Sequence, residues 1–310
     1  MSKGVLSQMS TADIVKLVRE EGGVQAAARK LLVYESTIFR RLAKDGLDMK
    51  DLTPRKLVKS AILNLEYSFP ELEKMYLIPI ADPQIGEPEF QEDSLIAYRD
   101  WILQHKEAYT GVLGDMFSTY VINNKAVNFW RMRYSPEQCL DKALELLDPI
   151  KDRILWFQLG NHEWRAYQAT GRTIMSELVR GLGFKEDKLL GRTGVLINVT
   201  VGKVPYSIYS LHGWGGARKT GGQVNKVEEM SAVIRDADVY LQGHEHTVFA
   251  TRWDSQQADV DGRVLRQLYV GCGTFCGYTD FQAGIARRMP NVGSPRVRFN
   301  GTRKDIHVSI

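Results

Sequence analysis

Five times in this chain a short apolar run is followed at once by a polar cluster rich in Asp, Asn, His and Gly. The runs are Tyr76-Leu77-Ile78-Pro79-Ile80, Gly111-Val112-Leu113, residues 154–159, residues 206–211 and Val239-Tyr240-Leu241. Behind them come Asp82-Pro83-Gln84-Ile85-Gly86, Gly114-Asp115, Gly160-Asn161-His162-Glu163, His212-Gly213 and Gly243-His244-Glu245-His246. Apolar runs of this length bounded by glycine read as strands, and helical patterns intervene at residues 94–105 and 136–147. Strands alternating with helices predict an α/β core, whose ligands gather beyond the strand ends.

A single Asp or His after a strand carries little information. Five strand ends that offer Asp82, Asp115, Asn161, His212 and the pair His244/His246 carry much more. Carboxylate, amide oxygen and imidazole together suit borderline-hard ions such as Mn²⁺, Zn²⁺ or Fe. The three cysteines, Cys139, Cys272 and Cys276, lack the partners of a disulfide framework or a zinc knuckle and read as packing residues.

In this order the motifs closely resemble the calcineurin-like metallophosphoesterase superfamily, over residues 75–275. The resemblance implies a four-layer α/β/β/α sandwich with two divalent metals at the sheet edge, Mn²⁺ foremost and Zn²⁺, Fe or Ni²⁺ as alternatives. It implies that Asp82 binds the first metal and Asp115 bridges both. Asn161, His212 and His244 then complete the second, and His246 returns to the first. His162 is implied to face the substrate phosphate and assist the leaving oxygen. The chain departs from the usual Asp-x-His motif by placing Gln84 in the third position. An amide oxygen is a weaker ligand than imidazole, so the first site is expected to bind loosely and activity to depend on added metal.

The basic character of the chain is concentrated near its start. Residues 1–60 hold 12 Lys/Arg against 7 Asp/Glu, and the remainder holds 29 against 30. Ser10 with Asp13 reads as a helix start, and Ile14, Leu17 and Val18 fall on one face. Further helices are predicted from Val24 to about Leu32 and from about Ser36 to Lys44. The stretch 23–42 resembles the DNA-binding helices of the Fis-type family, with Leu32 where that family usually has Gly and with Glu35 at the groove entrance. A helix-turn-helix domain over residues 1–46 is therefore expected, with Thr37, Arg40, Arg41 and Lys44 facing DNA. Residues 47–74 are expected to form a helical connector, Leu57, Val58, Ile62 and Leu65 marking its apolar side, before a phosphoesterase domain over 75–310.

Substrate signals are weaker. Gly114-Asp115-Met116-Phe117 resembles the motif of double-strand-break-repair nucleases in the same superfamily. Residues 120–134 interleave aromatic and basic side chains, a pattern that suits stacking on bases as well as an amphipathic helix. The loop Trp214 to Gly222 is glycine-rich and basic, and Arg165, Arg218 and Lys219 are candidate phosphate ligands. Residues 248–253 and 264–270 read as a hairpin around Asp261-Gly262, and 305–310 as a final strand. The chain holds no uncharged apolar run of about 18 residues and opens without an export-type apolar core, so a cytoplasmic protein with no membrane partner is expected. The function expected is a metal-dependent phosphodiesterase, a DNA nuclease foremost. The alternatives are a phosphatase or phosphodiesterase for small molecules or proteins, and a DNA-binding regulator with a degenerate phosphoesterase domain.

Overall fold

In the computed structural model of the chain, residues 6, 8–20, 24–31, 33–45, 62–118, 131–191, 193–256 and 264–310 are described. Contacts divide the chain into two units, Met1–Ser60 and Ala61–Ile310. No helix among the described residues is long and apolar enough to cross a membrane.

The first unit contains α1 (Thr11–Glu20), α2 (Val24–Leu31) and α3 (Glu35–Lys44). Ser10 starts α1 as its spacing predicts, its hydroxyl oxygen accepting the Asp13 N–H at 3.1 Å. Ile14 and Val18 of α1 are buried against Ala27, Ala28, Ile38 and Leu42 of the other two helices, giving this unit a core of its own. Asp45 ties the ends together, accepting from the Thr11 hydroxyl at 2.6 Å and from Arg41 Nε at 3.2 Å. Arg40 and Lys44 are exposed, while Thr37 and Arg41 are half-buried. The Gly22-Gly23 stop and Leu32 lie outside the described residues.

The second unit is built on two six-stranded sheets. The first comprises β1 (Leu63–Phe69), β6 (Gly194–Val201), β7 (Val204–Leu211), β8 (Val239–Gln242), β10 (Val264–Cys272) and β9 (Val248–Gln256), in that spatial order. The second comprises β12 (Ile306–Ser309), β11 (Arg296–Asn300), β2 (Lys74–Leu77), β3 (Ala108–Val112), β4 (Ile154–Gln158) and β5 (Leu190–Gly191). Strands β2 to β5 run parallel, as do β7, β8 and β10. The predicted hairpin is present as the antiparallel pair β9–β10, although its turn at Asp261-Gly262 lies outside the described residues.

Buried side chains show how the layers stack. Leu77, Leu155 and Trp156 of the second sheet pack with Ile197, Ile208, Leu241 and Val270 of the first, so the sheets face each other. The outer face of the second sheet is covered by α4 (Glu92–Gln104), α5 (Pro136–Leu147) and α7 (Ile174–Gly181), through Ile102, Leu146 and Leu178. The outer face of the first sheet, with Tyr209, Tyr240 and Tyr269, meets Val227 of α9 (Thr220–Glu229). Four layers result, helices enclosing two stacked sheets.

One expectation is corrected here. Of the connector assigned to 47–74, residues 47–61 lie outside the described residues, and Leu63–Phe69 form a strand, not a helix. Leu63, Leu65, Tyr67 and Phe69 alternate toward the inter-sheet core, and β1 pairs in parallel with β6 along its whole length. The larger unit accordingly begins at Ala61 rather than at residue 75. The helical spacing of Leu57, Val58, Ile62 and Leu65 competed with a two-residue period, and pairing with β6 decided the outcome.

Candidate metal centre

All five predicted strand ends meet at one rim of the stacked sheets. Asp82 follows β2, Asp115 follows β3, and Asn161 and His162 open α6 (Asn161–Thr170) after β4. His212 follows β7, and His244 and His246 follow β8. The parallel direction of these strands within each sheet is what gathers their carboxyl ends.

The backbone at this rim is strained. Among the described residues six non-glycines have positive φ, and five are Asp82 (51°), Gln84 (49°), Asp115 (45°), His244 (66°) and His246 (55°). Left-handed backbone in a branched or bulky residue costs about 1–3 kcal/mol and persists where the surroundings enforce it. Those restraints are visible. The Asp82 carbonyl accepts from the Thr274 hydroxyl at 2.7 Å, and its Oδ2 accepts the His244 N–H at 2.7 Å. The Asp115 Oδ1 accepts the His162 N–H at 2.8 Å. Gly160 must be a glycine for reasons of space, because a Cβ there would strike the Asp115 carboxylate.

One group of donor atoms converges tightly. Ligand atoms of Asp115, His212 and His244 all lie within 4.8 Å of one another. His212 Nε2 is 3.2 Å from Asp115 Oδ2, while its Nδ1–H donates to the Leu113 carbonyl at 2.7 Å and fixes the tautomer. The far nitrogen of His244 is tied to the Gly215 carbonyl, leaving Nδ1 toward the cluster. The Asn161 amide completes the group, 3.1 Å from His212 Nε2, 3.2 Å from Asp115 Oδ2 and 2.6 Å from His244 Nδ1. Without a cation the amide nitrogen belongs on this side, since Asp115 Oδ2 and His244 Nδ1 can accept from it and Arg165 Nη2 lies 2.8 Å from the opposite atom. A cation among them inverts that preference and draws the amide oxygen inward, so this set fits a divalent ion well.

The neighbouring position fits less well. Asp82 Oδ1 is buried without a hydrogen bond, which suits a cation, and His246 Nε2 stands 3.2 Å from it. His246 Nδ1, however, lies 3.0 Å from Gln282 Nε2, and Gln282 Oε1 already accepts the Thr279 N–H at 3.1 Å. That network assigns the imidazole proton to Nε2, the atom a metal needs free. Gln84 faces the same Nε2 across 3.3 Å, and with the proton there its amide must turn oxygen rather than nitrogen toward the ring.

Charge is distributed unevenly across the cluster. Burial opposes a charged His212, but the Asp115 and Asp82 carboxylates and the Leu113 carbonyl outweigh it and push its pKa up to about 10. Burial lowers the pKa of His162, Asp115 opposing and Arg165 adding to the fall, so this ring is neutral near pH 7. Burial also lowers His244, assisted by the charge on His212. Asp115, although desolvated, is held far below the usual carboxylate range by His162, His212 and His244.

Arg165 and His162 line a cleft of about 270 Å³ over the cluster, together with Gln84, His246 and Arg287. Arg165 Nη1 and His162 Nδ1 are buried and make no hydrogen bond, so two nitrogens are left for a ligand. Arg218 and Lys219 are exposed and do not line this cleft, a departure from their expected role. The glycine-rich loop is shorter than predicted because α9 begins at Thr220, and Ala217 N–H is pinned to Glu245 Oε1 at 3.1 Å. Of the aromatic and basic stretch 120–134, residues 120–130 lie outside the described residues, and Arg131 and Arg133 pair with Asp280 and Glu92.

Several residues at the centre carried no role in the sequence reading. Glu163 accepts the N–H groups of Asp115 at 3.0 Å, Phe117 at 3.1 Å and Gly160 at 2.8 Å, stapling two motif loops together. Burial raises its carboxyl to about 7, with Asp115 adding to the rise. Glu245 does similar work on the other sheet, accepting from Lys226 at 2.7 Å and Arg287 at 2.5 Å. Only the adjacency of both glutamates to ligand residues hinted at this.

No protein-family model matches the chain, and no curated protein matches it. Similar solved structures include a predicted phosphoesterase from Streptococcus pneumoniae, with 13% identity over 76% of this chain and 88% of that one, at a TM-score of 0.35. The calcineurin-like phosphoesterase YfkN of Bacillus subtilis has 10% identity over 77% of this chain and 90% of its own, at 0.37. The NAD nucleotidase of Haemophilus influenzae has 11% identity over 76% of this chain and 49% of its own, at 0.39. These likenesses are distant, and what the site can do follows from its own geometry.

Proposed function

We propose that the larger unit is a metal-dependent phosphoesterase, and specifically a phosphodiesterase that acts on DNA. The observation that carries this reading is the convergence of Asp82, Asp115, Asn161, His212, His244 and His246 at one rim, four of them in left-handed backbone. Asp115, Asn161, His212 and His244 would hold one divalent ion, and Asp82, His246 and Gln84 a second, weaker one. Bound there, such ions supply a Lewis acid that activates water near neutral pH and neutralises phosphoryl charge. Mn²⁺ is the ion proposed first, with Zn²⁺, Fe and Ni²⁺ as competitors that imidazole ligands bind more tightly.

The chain's own groups account for the remaining requirements. His162 Nδ1 and Arg165 Nη1 face the cleft without partners and would take the non-bridging phosphoryl oxygens. His162, 3.7 Å from Asp115 Oδ2 through Nε2, is placed to pass a proton to the leaving oxygen in its charged form, a minority near pH 7 that solvent replenishes. The first unit would bring DNA to this centre through Arg40, Arg41, Lys44 and Thr37, supported by their position on α3 and by the basic balance of residues 1–60.

The test is Mn²⁺-dependent cleavage of single- and double-stranded DNA by the wild type beside Asp115→Ala and His162→Asn. Asp115→Ala is expected to lower activity by at least about 100-fold together with metal occupancy. His162→Asn is expected to lower turnover by about 10²–10⁴-fold while metal binding is kept. Hydrolysis of a small phosphodiester without DNA cleavage would move the substrate to small molecules, and no hydrolysis of any ester would overturn the enzyme reading.

A further inference from the structure

A second cleft, of about 430 Å³, opens on the other side of Asn161 and His212. Its walls include Leu159, Trp164, Tyr167, Leu211 and Trp214. Two of these are tryptophans that fill no core: Trp164 is 42% exposed and Trp214 43%. Large aromatic side chains left half in water beside a functional centre are commonly ligand platforms.

The two tryptophans arrive from opposite sheets. Trp164 lies one turn beyond Asn161 on α6, behind β4, and Tyr167 follows one turn later with its ring stacked on Trp164 at 5.3 Å and 28°. Trp214 stands two residues beyond His212, behind β7. Its backbone is fixed, since Lys226 Nζ donates to the Trp214 carbonyl at 2.7 Å and also to Glu245 at 2.7 Å. The Trp214 main chain and the Trp164–Tyr167 stack are therefore in place before any ligand arrives, which limits the entropy lost on binding.

We propose that Trp164 and Trp214 form a slot for an unpaired nucleobase of the substrate, next to the phosphate held at the metal centre. This inference rests on the phosphoesterase reading and names the substrate class more closely. Asn161 and His212 line the aromatic cleft and also belong to the metal cluster, so a ring in the slot and a phosphate at the cluster are neighbours on one ligand. A molecule that carries both a flat apolar ring and a phosphate diester is a nucleotide unit. A base can enter only when it is not stacked within a duplex, so single strands and frayed ends are the preferred form.

The test compares oligodeoxythymidylate with an abasic oligonucleotide of equal length on the full chain, each with Mn²⁺. Wild type should hydrolyse the thymidylate with kcat/KM at least about ten-fold above the abasic strand. Trp164→Ala and Trp214→Ala should remove that advantage through KM and leave abasic hydrolysis unchanged, and Trp164→Phe should restore most of it. Quenching of tryptophan fluorescence by the thymidylate strand in EDTA supplies a readout independent of turnover. Equal hydrolysis of both strands by wild type, or quenching retained in both alanine variants, would overturn the slot while leaving the phosphoesterase reading intact. Quenching lost in the alanine variants, with no hydrolysis of any ester by wild type, would sustain the slot and overturn that reading.

Discussion

His212 shows how a single side chain links the geometry to a measurable quantity. Its pKa, raised from 6.5 to about 10, means that the metal-free protein carries the charge at neutral pH. The stability this charge contributes is fully present below the ordinary value of 6.5 and is lost as pH rises through about 10. A metal needs the Nε2 lone pair, so filling the position made by Asp115, Asn161, His212 and His244 must expel that proton. Calorimetric titration with Mn²⁺ at about pH 8, in buffers of different ionisation enthalpy, should report release of close to one proton for the tight event. A heat independent of the buffer would remove His212 from the ligand set. The same titration should show a second, weaker event at Asp82 and His246. Two equally tight ions would contradict the account of Gln84 and of the Gln282 bond to His246. At this scale the residues that converge at the rim were legible in the sequence because each follows an apolar run, whereas Glu163 and Gln282 were not, because their role lies in bonds to backbone and ring atoms far along the chain.

At the scale of elements, legibility followed the period of the apolar residues. Helix α5 is present at Pro136–Leu147 as predicted, with a capping box in which Ser135 Oγ accepts the Gln138 N–H at 3.3 Å. Strand β1 was missed because a short amphipathic strand on the edge of a sheet offers four inward residues, and a helical reading can share several of them. Helix α3 places Arg40 and Lys44 outward, while Arg41 is partly committed to Asp45 at 3.2 Å. If α3 contacts DNA, replacing Arg40 and Arg41 with Ala should weaken binding and reduce the slope of log affinity against log salt by about one to two. Most of that change should come from Arg40, since Arg41 already has a carboxylate partner. An unchanged salt slope in the double variant would remove α3 from the DNA interface.

Across the whole molecule, the two units have separate cores, Ile14, Val18, Ile38 and Leu42 in one and the stacked sheets in the other. The four layers were legible only through a family resemblance, since nothing in the local pattern says which strands share a sheet. β6 and β1, more than a hundred residues apart in sequence, pair in parallel, and no periodicity announces such a partner. The place where the larger unit begins is therefore a structural question with a direct test. A chain starting at Ala61 should melt cooperatively, keep its metal stoichiometry and hydrolyse a short single strand within about two-fold of the full chain, while losing affinity for long DNA. A chain starting at Met75, where the motifs begin, lacks Leu63, Leu65, Tyr67 and Phe69, and with them the Tyr67 hydroxyl that donates to the Leu155 carbonyl of the facing sheet. Each half-buried apolar side chain removed should cost about 1 kcal/mol, and the bared edge of β6 should promote aggregation. Equal melting temperatures for the two truncated chains would show that β1 contributes nothing to the sandwich, and would return the boundary to residue 75.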